Sequence, residues 1–228
     1  MISKQLKWVY LMVLSLIWGS SFILIKKGLV GLSAMQLGSL RIIFAAVFLL
    51  VIGFKSLPII PKNKWKYIAL TALLGTFIPA YLFAIAETQI DSSITAILNS
   101  LTPLNTLILG AIIFGINFKK SQIWGVFIGF LGSLLLVFNG ALNHPDQNYY
   151  YAILIIIASI CYAINVNLIK KYLSDLKPLS ISVGNFSVML LPAVFVLYFS
   201  GFFELVPTTE VKQSIIYILI LGIIGTGI

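Results

Sequence analysis

The sequence contains very few of the residues that build catalytic and metal centres. Its 228 residues include one cysteine, one histidine and six acidic residues. A single cysteine excludes an internal disulfide framework, so Cys161 is interpreted as a small buried hydrophobic residue. His144 falls in a predicted exposed turn, and neither a His-Glu-x-x-His nor a Gly-x-Ser-x-Gly motif occurs. We therefore predict no enzymatic activity, no metal site and no cofactor.

Charged residues are also scarce, at 9% of the chain, whereas 60% of the residues are hydrophobic. A soluble domain of this size needs more polar surface, so the composition indicates a protein surrounded by lipid. Eight apolar segments are predicted to cross the bilayer: 8–27, 34–54, 66–86, 92–116, 122–139, 150–169, 180–200 and 213–228. These segments are continuously apolar instead of alternating, which favours helices over a barrel. The predicted fold class is an all-α polytopic membrane protein.

The positive charges are distributed unevenly between the predicted connections. With a cytoplasmic N-terminus, the cytoplasmic lysines are Lys4, Lys7, Lys55, Lys62, Lys64, Lys66, Lys119, Lys120, Lys170, Lys171 and Lys177. Only Lys26, Lys27 and Lys212 then face outside, and Arg41 lies within a span. This distribution follows the positive-inside rule, so it predicts the orientation of the chain in a plasma or inner membrane. The net charge of +9 is therefore not interpreted as a sign of nucleic-acid binding.

The chain resembles itself after a shift of 144 residues. Residues 16–27 align with 160–171, and residues 38–42 align with 182–186. At an offset of 150, Leu74-Gly75-Thr76 aligns with Ile224-Gly225-Thr226. Because five apolar segments separate equivalent points, the second copy is inverted in the membrane, an arrangement common in secondary transporters. We predict repeats at 1–139 and 150–228. We also predict that the complete protein consists of two five-helix units, and that this chain holds about eight of the ten helices.

Several motifs resemble the EamA-type branch of the drug/metabolite transporter superfamily. They are Trp18-Gly19-Ser20-Ser21-Phe22, the run from Leu40 to Ala46, Ala86-Glu87-Thr88, the run from Ala96 to Leu104, and the run from Gly125 to Gly132. The resemblance covers the whole chain. It implies a two-fold inverted-repeat carrier with a central cavity that exports or exchanges small metabolites such as amino acids by alternating access.

Polar side chains within the apolar segments are candidate functional groups, because placing them in a bilayer is costly. The predicted substrate-cavity residues are Trp18, Ser21, Arg41, Asn99, Thr102, Thr106, Tyr162, Asn165 and Asn185. Each has an alternative interpretation. The arginine side chain can extend outward to the interface, the aromatic residues can pack helices together, and the hydroxyls can bond to their own helix.

Three residues are predicted to serve as hinges or close packing points, namely Gly19, Gly75 and Pro103. Glu87, at the end of the third segment, is predicted either as a proton site or as a solvated helix end.

The function predicted from these features is transport of a small-molecule substrate across a lipid bilayer by an inner-membrane secondary carrier, in the export direction. The alternative is a structural or regulatory membrane subunit, in which the polar residues join helices. The sequence leaves the oligomeric state open.

Overall fold

The described part of the chain is built almost entirely from long helices. The structure is a computed structural model and describes residues 4–117, 119–143 and 147–227, so the predicted turn at His144 lies outside the described residues. The helices are α1 (Lys4–Gly28), α2 (Ala34–Gly53), α3 (Lys62–Ala86), α4 (Ser92–Ile112), α5 (Lys120–Asn143), α6 (Ala152–Tyr172), α7 (Pro178–Phe199) and α8 (Thr209–Gly227). Within these ranges no strand occurs.

Seven helices, α1 to α4 and α6 to α8, meet the length and hydropathy expected of membrane spans over their described residues. The helix α5 has 24 residues, which is about 36 Å at 1.5 Å per residue. The predicted all-α polytopic membrane fold is therefore confirmed.

Local sequence signals explain several helix ends. Ser33 and Gln36 form a capping box at the start of α2, and Thr208 accepts a hydrogen bond from the Val211 amide at the start of α8. The fourth segment was predicted to continue to residue 116, but α4 ends at Ile112. The helix ends earlier because Gly115, with φ of +64°, adopts the left-handed conformation that terminates helices.

Two spans contain π-helical turns at positions related by the repeat. In α3 the turn covers Leu73–Phe77, and in α8 it covers Leu221–Gly227. Pro79 follows the first turn and has no N–H to donate to the carbonyl of Gly75, which explains the altered hydrogen-bonding register there. Such turns frequently occur at functional sites.

The helix α4 is interrupted near its proline. It consists of Ser92–Asn99 and Thr102–Ile112, with Pro103 in the first turn of the second part. The break is explained by Pro103, which has no N–H to donate to the carbonyl of Asn99. Its use as a hinge stays a prediction.

Helices from the two predicted repeats pack against each other in equivalent pairs. The most extensive packing joins α2 to α7. The helix α3 packs against α6 and α7, and α8 packs against α1 and α2. Because the offsets of 144 and 150 relate α1 to α6, α2 to α7 and α3 to α8, the contacts of α3 and of α8 are equivalent.

The lysine-rich connections gather at one end of the bundle. The Nζ atom of Lys64, in the first turn of α3, lies 2.8 Å from Asp175 in the α6–α7 connection. Lys171 donates to the carbonyl of Phe114 in the α4–α5 connection, at 3.4 Å. At the opposite end, Gln36 at the start of α2 donates to the carbonyl of Ser200 after α7, at 3.0 Å.

Candidate functional site

Polar side chains lie directly against the two π-helical turns. A Cβ atom added to Gly75 in α3 would lie 2.4 Å from Nδ2 of Asn165 in α6. A Cβ atom added to Gly225 in α8 would lie 2.9 Å from Oγ of Ser21 in α1. By the same offsets, Gly75 is equivalent to Gly225 and Ser21 to Asn165. Each half therefore places a polar side chain against a glycine of the other half, as close packing of small residues permits.

The two polar side chains differ in their hydrogen bonding. The Ser21 hydroxyl donates to the carbonyl of Ile17 in its own helix at 2.9 Å, which is the alternative considered from the sequence. The Oδ1 atom of Asn165 is buried and has no hydrogen-bond partner among the described residues. An unpaired buried acceptor is costly, so this oxygen is well suited to accept a hydrogen bond from a bound solute.

Arg41 joins α2 to α8 close to the second π-helical turn. Its Nε atom donates to Oγ1 of Thr226 at 2.9 Å. A Cβ atom on Gly222 would lie 3.0 Å from the Arg41 carbonyl, so the backbones of α2 and α8 are close at this point. Arg41 is half-buried, and its guanidinium bonds to another helix. It has five N–H donors, and the described contacts use only the Nε–H.

Aromatic rings line the adjoining interface between α1, α3 and α6. The Phe83 ring lies 5.7 Å from the Phe22 ring and 5.9 Å from the Tyr162 ring, measured between centroids. Trp18, the repeat equivalent of Tyr162, is 61% exposed. The sequence analysis did not single out Phe22 and Phe83, although the first lies in a quoted motif and the second lies one helical turn before Glu87.

Glu87 is fully buried where α3 ends, so the prediction of a solvated helix end is wrong. Its Oε2 atom accepts a hydrogen bond from Ser92 at 3.0 Å, and Oε1 has no partner among the described residues. The Lys26 ammonium donates to the backbone carbonyls of Glu87 and Ile90 at 2.8 and 3.1 Å. Burial raises the pKa of Glu87 to about 8, although the Ser92 hydrogen bond and the charges of Lys26 and Arg41 act to lower it.

The predicted polar stripe of α4 bonds mainly within its own helix. Thr106 donates to the carbonyl of Thr102 at 2.7 Å, and Thr102 donates to Oδ1 of Asn99 at 3.3 Å. All three side chains are half-buried. This arrangement matches the alternative in which the hydroxyls bond to their own helix.

Other polar side chains join α4 to α6. Asn105 donates to the Ser159 hydroxyl at 2.8 Å, and Asn167 donates to the carbonyl of Thr106 at 3.0 Å. Neither bond was predictable from the sequence, because a partner on another helix carries no local signal.

The remaining candidates lie elsewhere in the bundle. Asn185 in α7 is buried and accepts a hydrogen bond from Thr71 in α3 at 2.9 Å. A Cβ atom on Gly19 would have nothing within 4 Å among the described residues, so the close packing predicted there is wrong. The physical reason is that Gly19 lies on the exposed face of α1, whose buried face carries Ser21 and Ile25. Within the described residues, no cluster of histidine, cysteine or acidic side chains is suited to hold a metal.

Comparison with known proteins agrees with this membrane architecture. Residues 6–138 match the EamA-like transporter family. The chain belongs to this family. An uncharacterized transporter of Archaeoglobus fulgidus is 28% identical over 180 residues, which are 77% of this chain and 62% of that protein. The inner membrane transporter YedA of Escherichia coli K12 is 32% identical over 158 residues, covering 67% of this chain and 49% of that protein.

A third relative carries a more specific name. It is a probable amino-acid metabolite efflux pump of Salmonella typhimurium, 27% identical over 121 residues, which are 53% of this chain and 39% of the pump. This chain therefore spans between about two fifths and three fifths of the lengths of these curated relatives. A solved crystal structure shares the fold, with a TM-score of 0.66 at 13% identity over 95% of this chain and 74% of that one.

Proposed function

We propose that this EamA-family chain acts in secondary transport across the inner membrane, exporting small metabolites by alternating access with its N-terminus in the cytoplasm. The observation that carries the proposal is the equivalent packing of α3 against α6 and α7 and of α8 against α1 and α2. Residues 1–139 and 150–228 then form two inverted repeats around one site, the arrangement from which many carriers build two gates. The lysine-rich end of the bundle faces the cytoplasm, in accordance with the positive-inside rule.

The proposed substrate is an amino acid or a related small compound with a carboxylate and an N–H donor. Arg41 offers the free guanidinium donors that pair with a carboxylate, and the unpaired Oδ1 of Asn165 offers an acceptor for an N–H group. The rings of Phe83 and Tyr162 provide an apolar wall for a side chain. The name of the Salmonella typhimurium relative supports this substrate class.

The other predicted cavity residues enter the proposal with smaller roles. Asn99, Thr102 and Thr106 form a polar wall on α4 next to the broken turn, and Asn185 fixes α7 against α3. Trp18 stays a prediction from the sequence, because its side chain is largely exposed.

Glu87 is the proposed proton site of the carrier. A fully buried carboxyl with one unpaired oxygen favours the protonated form, and the nearby charges of Lys26 and Arg41 favour the ionised form. A group balanced in this way takes up and releases a proton in the physiological range, as coupling to a proton gradient requires.

The alternative function is a structural or regulatory membrane subunit that moves no solute. The interhelical hydrogen bonds from Asn105 to Ser159 and from Asn167 to Thr106 favour it, because they use polar side chains only to join helices. It gives no reason for the unpaired donors of Arg41 or for the unpaired oxygen of Asn165.

The experiment that tests the proposal is flux of labelled amino acids and related metabolites in vesicles containing the 228-residue chain. A parallel sample carries the same chain extended by the C-terminal part of the Bacillus subtilis relative YoaV, which is 27% identical over 220 residues. Flux in either sample that is abolished by Arg41→Gln supports the carrier. Absence of flux in both, with Arg41→Gln leaving the folded chain unchanged, refutes it in favour of the subunit.

A further inference from the structure

Two polar contacts close the bundle at its opposite ends. At the lysine-rich end, Lys64 donates to the carbonyl of Tyr172 at 2.7 Å and to Oδ1 of Asp175 at 2.8 Å. These bonds connect the start of α3 to the α6–α7 connection. The hydrogen bond from Lys64 lowers the pKa of Asp175, which favours the ionised carboxylate. We call these bonds the inner latch.

At the other end, Ser214 connects the start of α8 to the α1–α2 connection. Its hydroxyl accepts a hydrogen bond from the Gly31 amide at 3.1 Å and donates to the carbonyl of Lys27 at 3.4 Å. The backbones are also in close contact, since a Cβ atom on Gly31 would lie 2.8 Å from the Glu210 carbonyl. We call these bonds the outer latch.

The two latches occupy equivalent positions in the two repeats. An offset of 150 converts Lys64 to Ser214, and an offset of 144 converts Gly31 to Asp175. The same offset converts Lys27 to residue 171, next to Tyr172. The offsets were fixed from residues 16–27, 38–42 and 74–76 of the first copy, which include neither Gly31 nor Lys64. The agreement of Gly31 with Asp175 and of Lys64 with Ser214 is therefore an independent observation.

The latches differ in their chemistry. The inner latch is an ion pair at the surface, in which Lys64 is 22% exposed and Asp175 is 58% exposed. The outer latch is neutral, and Ser214 is 1% exposed. An exposed ion pair is weakened by salt and by loss of either charge, whereas a buried hydroxyl bond is insensitive to salt.

We propose that Lys64–Asp175 and Ser214–Gly31 form a pair of opposed gate latches, each holding one side of the membrane closed, whose relative strength sets the balance between inward-open and outward-open states. The proposal rests on the carrier function proposed above. Both latches are closed in this structure. Breaking the inner latch favours cytoplasmic opening, and breaking the outer latch favours external opening.

The test measures access to the interior from each side, without any substrate. Ile68 and Ile218 are themselves equivalent, each is 0% exposed, and each lies one helical turn beyond its latch residue. In a background with Cys161→Ala, a single reporter, Ile68→Cys or Ile218→Cys, is labelled with a membrane-impermeant maleimide in inside-out and right-side-out vesicles.

Asp175→Asn is expected to raise cytoplasmic labelling at the Ile68 reporter by roughly two- to fivefold, the scale of an exposed ion pair. The same substitution leaves or lowers external labelling at the Ile218 reporter. Asp175→Glu keeps the charge and is the matched control, with labelling close to the parent. High salt raises cytoplasmic labelling in the parent and has no further effect in Asp175→Asn.

Ser214→Ala is expected to do the opposite, raising external labelling at the Ile218 reporter while leaving or lowering cytoplasmic labelling at the Ile68 reporter. Gln213→Ala, at an exposed neighbouring position, is its control. Equal increases at both reporters indicate general loosening and overturn the proposal, as does unchanged labelling in both latch variants. The labelling test is independent of the flux test. Reciprocal labelling supports the latches even if the flux test detects no transport, and such a flux result counts only against the proposed carrier function.

Discussion

Replacing Gly75 with alanine tests the contact between α3 and α6 most directly. The new Cβ atom would lie 2.4 Å from Nδ2 and 2.5 Å from Cγ of Asn165, closer than such atoms can approach. The Asn165 side chain must therefore move, and overpacking of this kind costs about 1–3 kcal/mol. Alanine also improves helix propensity over glycine by about 1 kcal/mol. The expected net loss is about 1 kcal/mol in the free energy of unfolding.

A loss of this size lowers the melting temperature of a protein of this length by roughly 2–4 °C. The measurement is thermal unfolding of the purified chain in detergent, followed by circular dichroism. Gly129→Ala on α5 is the matched control, because its Cβ atom meets no atom within 4 Å among the described residues. Gly129→Ala should gain only the stabilisation from the higher helix propensity of alanine, so it should raise the melting temperature.

A second substitution tests whether Asn165 is the cause. Asn165→Ala removes the side chain that collides with the new methyl group, so the double variant should be more stable than Gly75→Ala alone. If Gly75→Ala is as stable as Gly129→Ala, or if Asn165→Ala gives no rescue, then α3 and α6 do not cross in the way described.

Three further predictions concern other buried polar groups. The raised pKa of Glu87 means that the folded state binds its proton more tightly, so stability should decrease as pH rises from about 4.5 to about 8; Glu87→Gln should remove this slope in melting temperatures measured across that range. Tyr81→Phe removes the 2.9 Å hydrogen bond to Ser39 and leaves a fully buried hydroxyl unpaired, so chemical denaturation should report a loss of about 1–3 kcal/mol. Asn105→Ala removes the hydrogen bond to Ser159. The same assay should report a loss of only roughly 0.6 kcal/mol in the free energy of unfolding, the average for interhelical hydrogen bonds in membranes. A loss as large as that of Tyr81→Phe would contradict this ranking.

The helices were predictable from the sequence because lipid imposes a long, continuous apolar pattern on each one. The proline effect at Pro103 also follows from local chemistry, and the described break in α4 agrees with it. The end of α4 was missed because a single glycine, Gly115, terminates it within an apolar run.

It was much less predictable from the sequence which side chains contact other helices and which are exposed. Trp18 and Tyr162 are equivalent in the repeat, yet one is exposed and the other packs against Phe83. The hydrophobic pattern of a span is nearly uniform around the helix, so periodicity does not show which face meets protein and which meets lipid. Arg41 and Thr226 likewise find each other across 185 residues, a distance over which no local signal extends.

That separation also governs how the protein is made. Some polar side chains of the first three helices have their partners in later ones, since Arg41 bonds to Thr226 and Thr71 bonds to Asn185. At about 5–20 residues per second, a ribosome needs roughly 10–40 seconds to synthesise the 185 residues between Arg41 and Thr226. For that interval the early helices stand in the bilayer with unpaired polar groups. The inserted first half is therefore an intermediate, and these interhelical hydrogen bonds form only when α6 to α8 have been inserted.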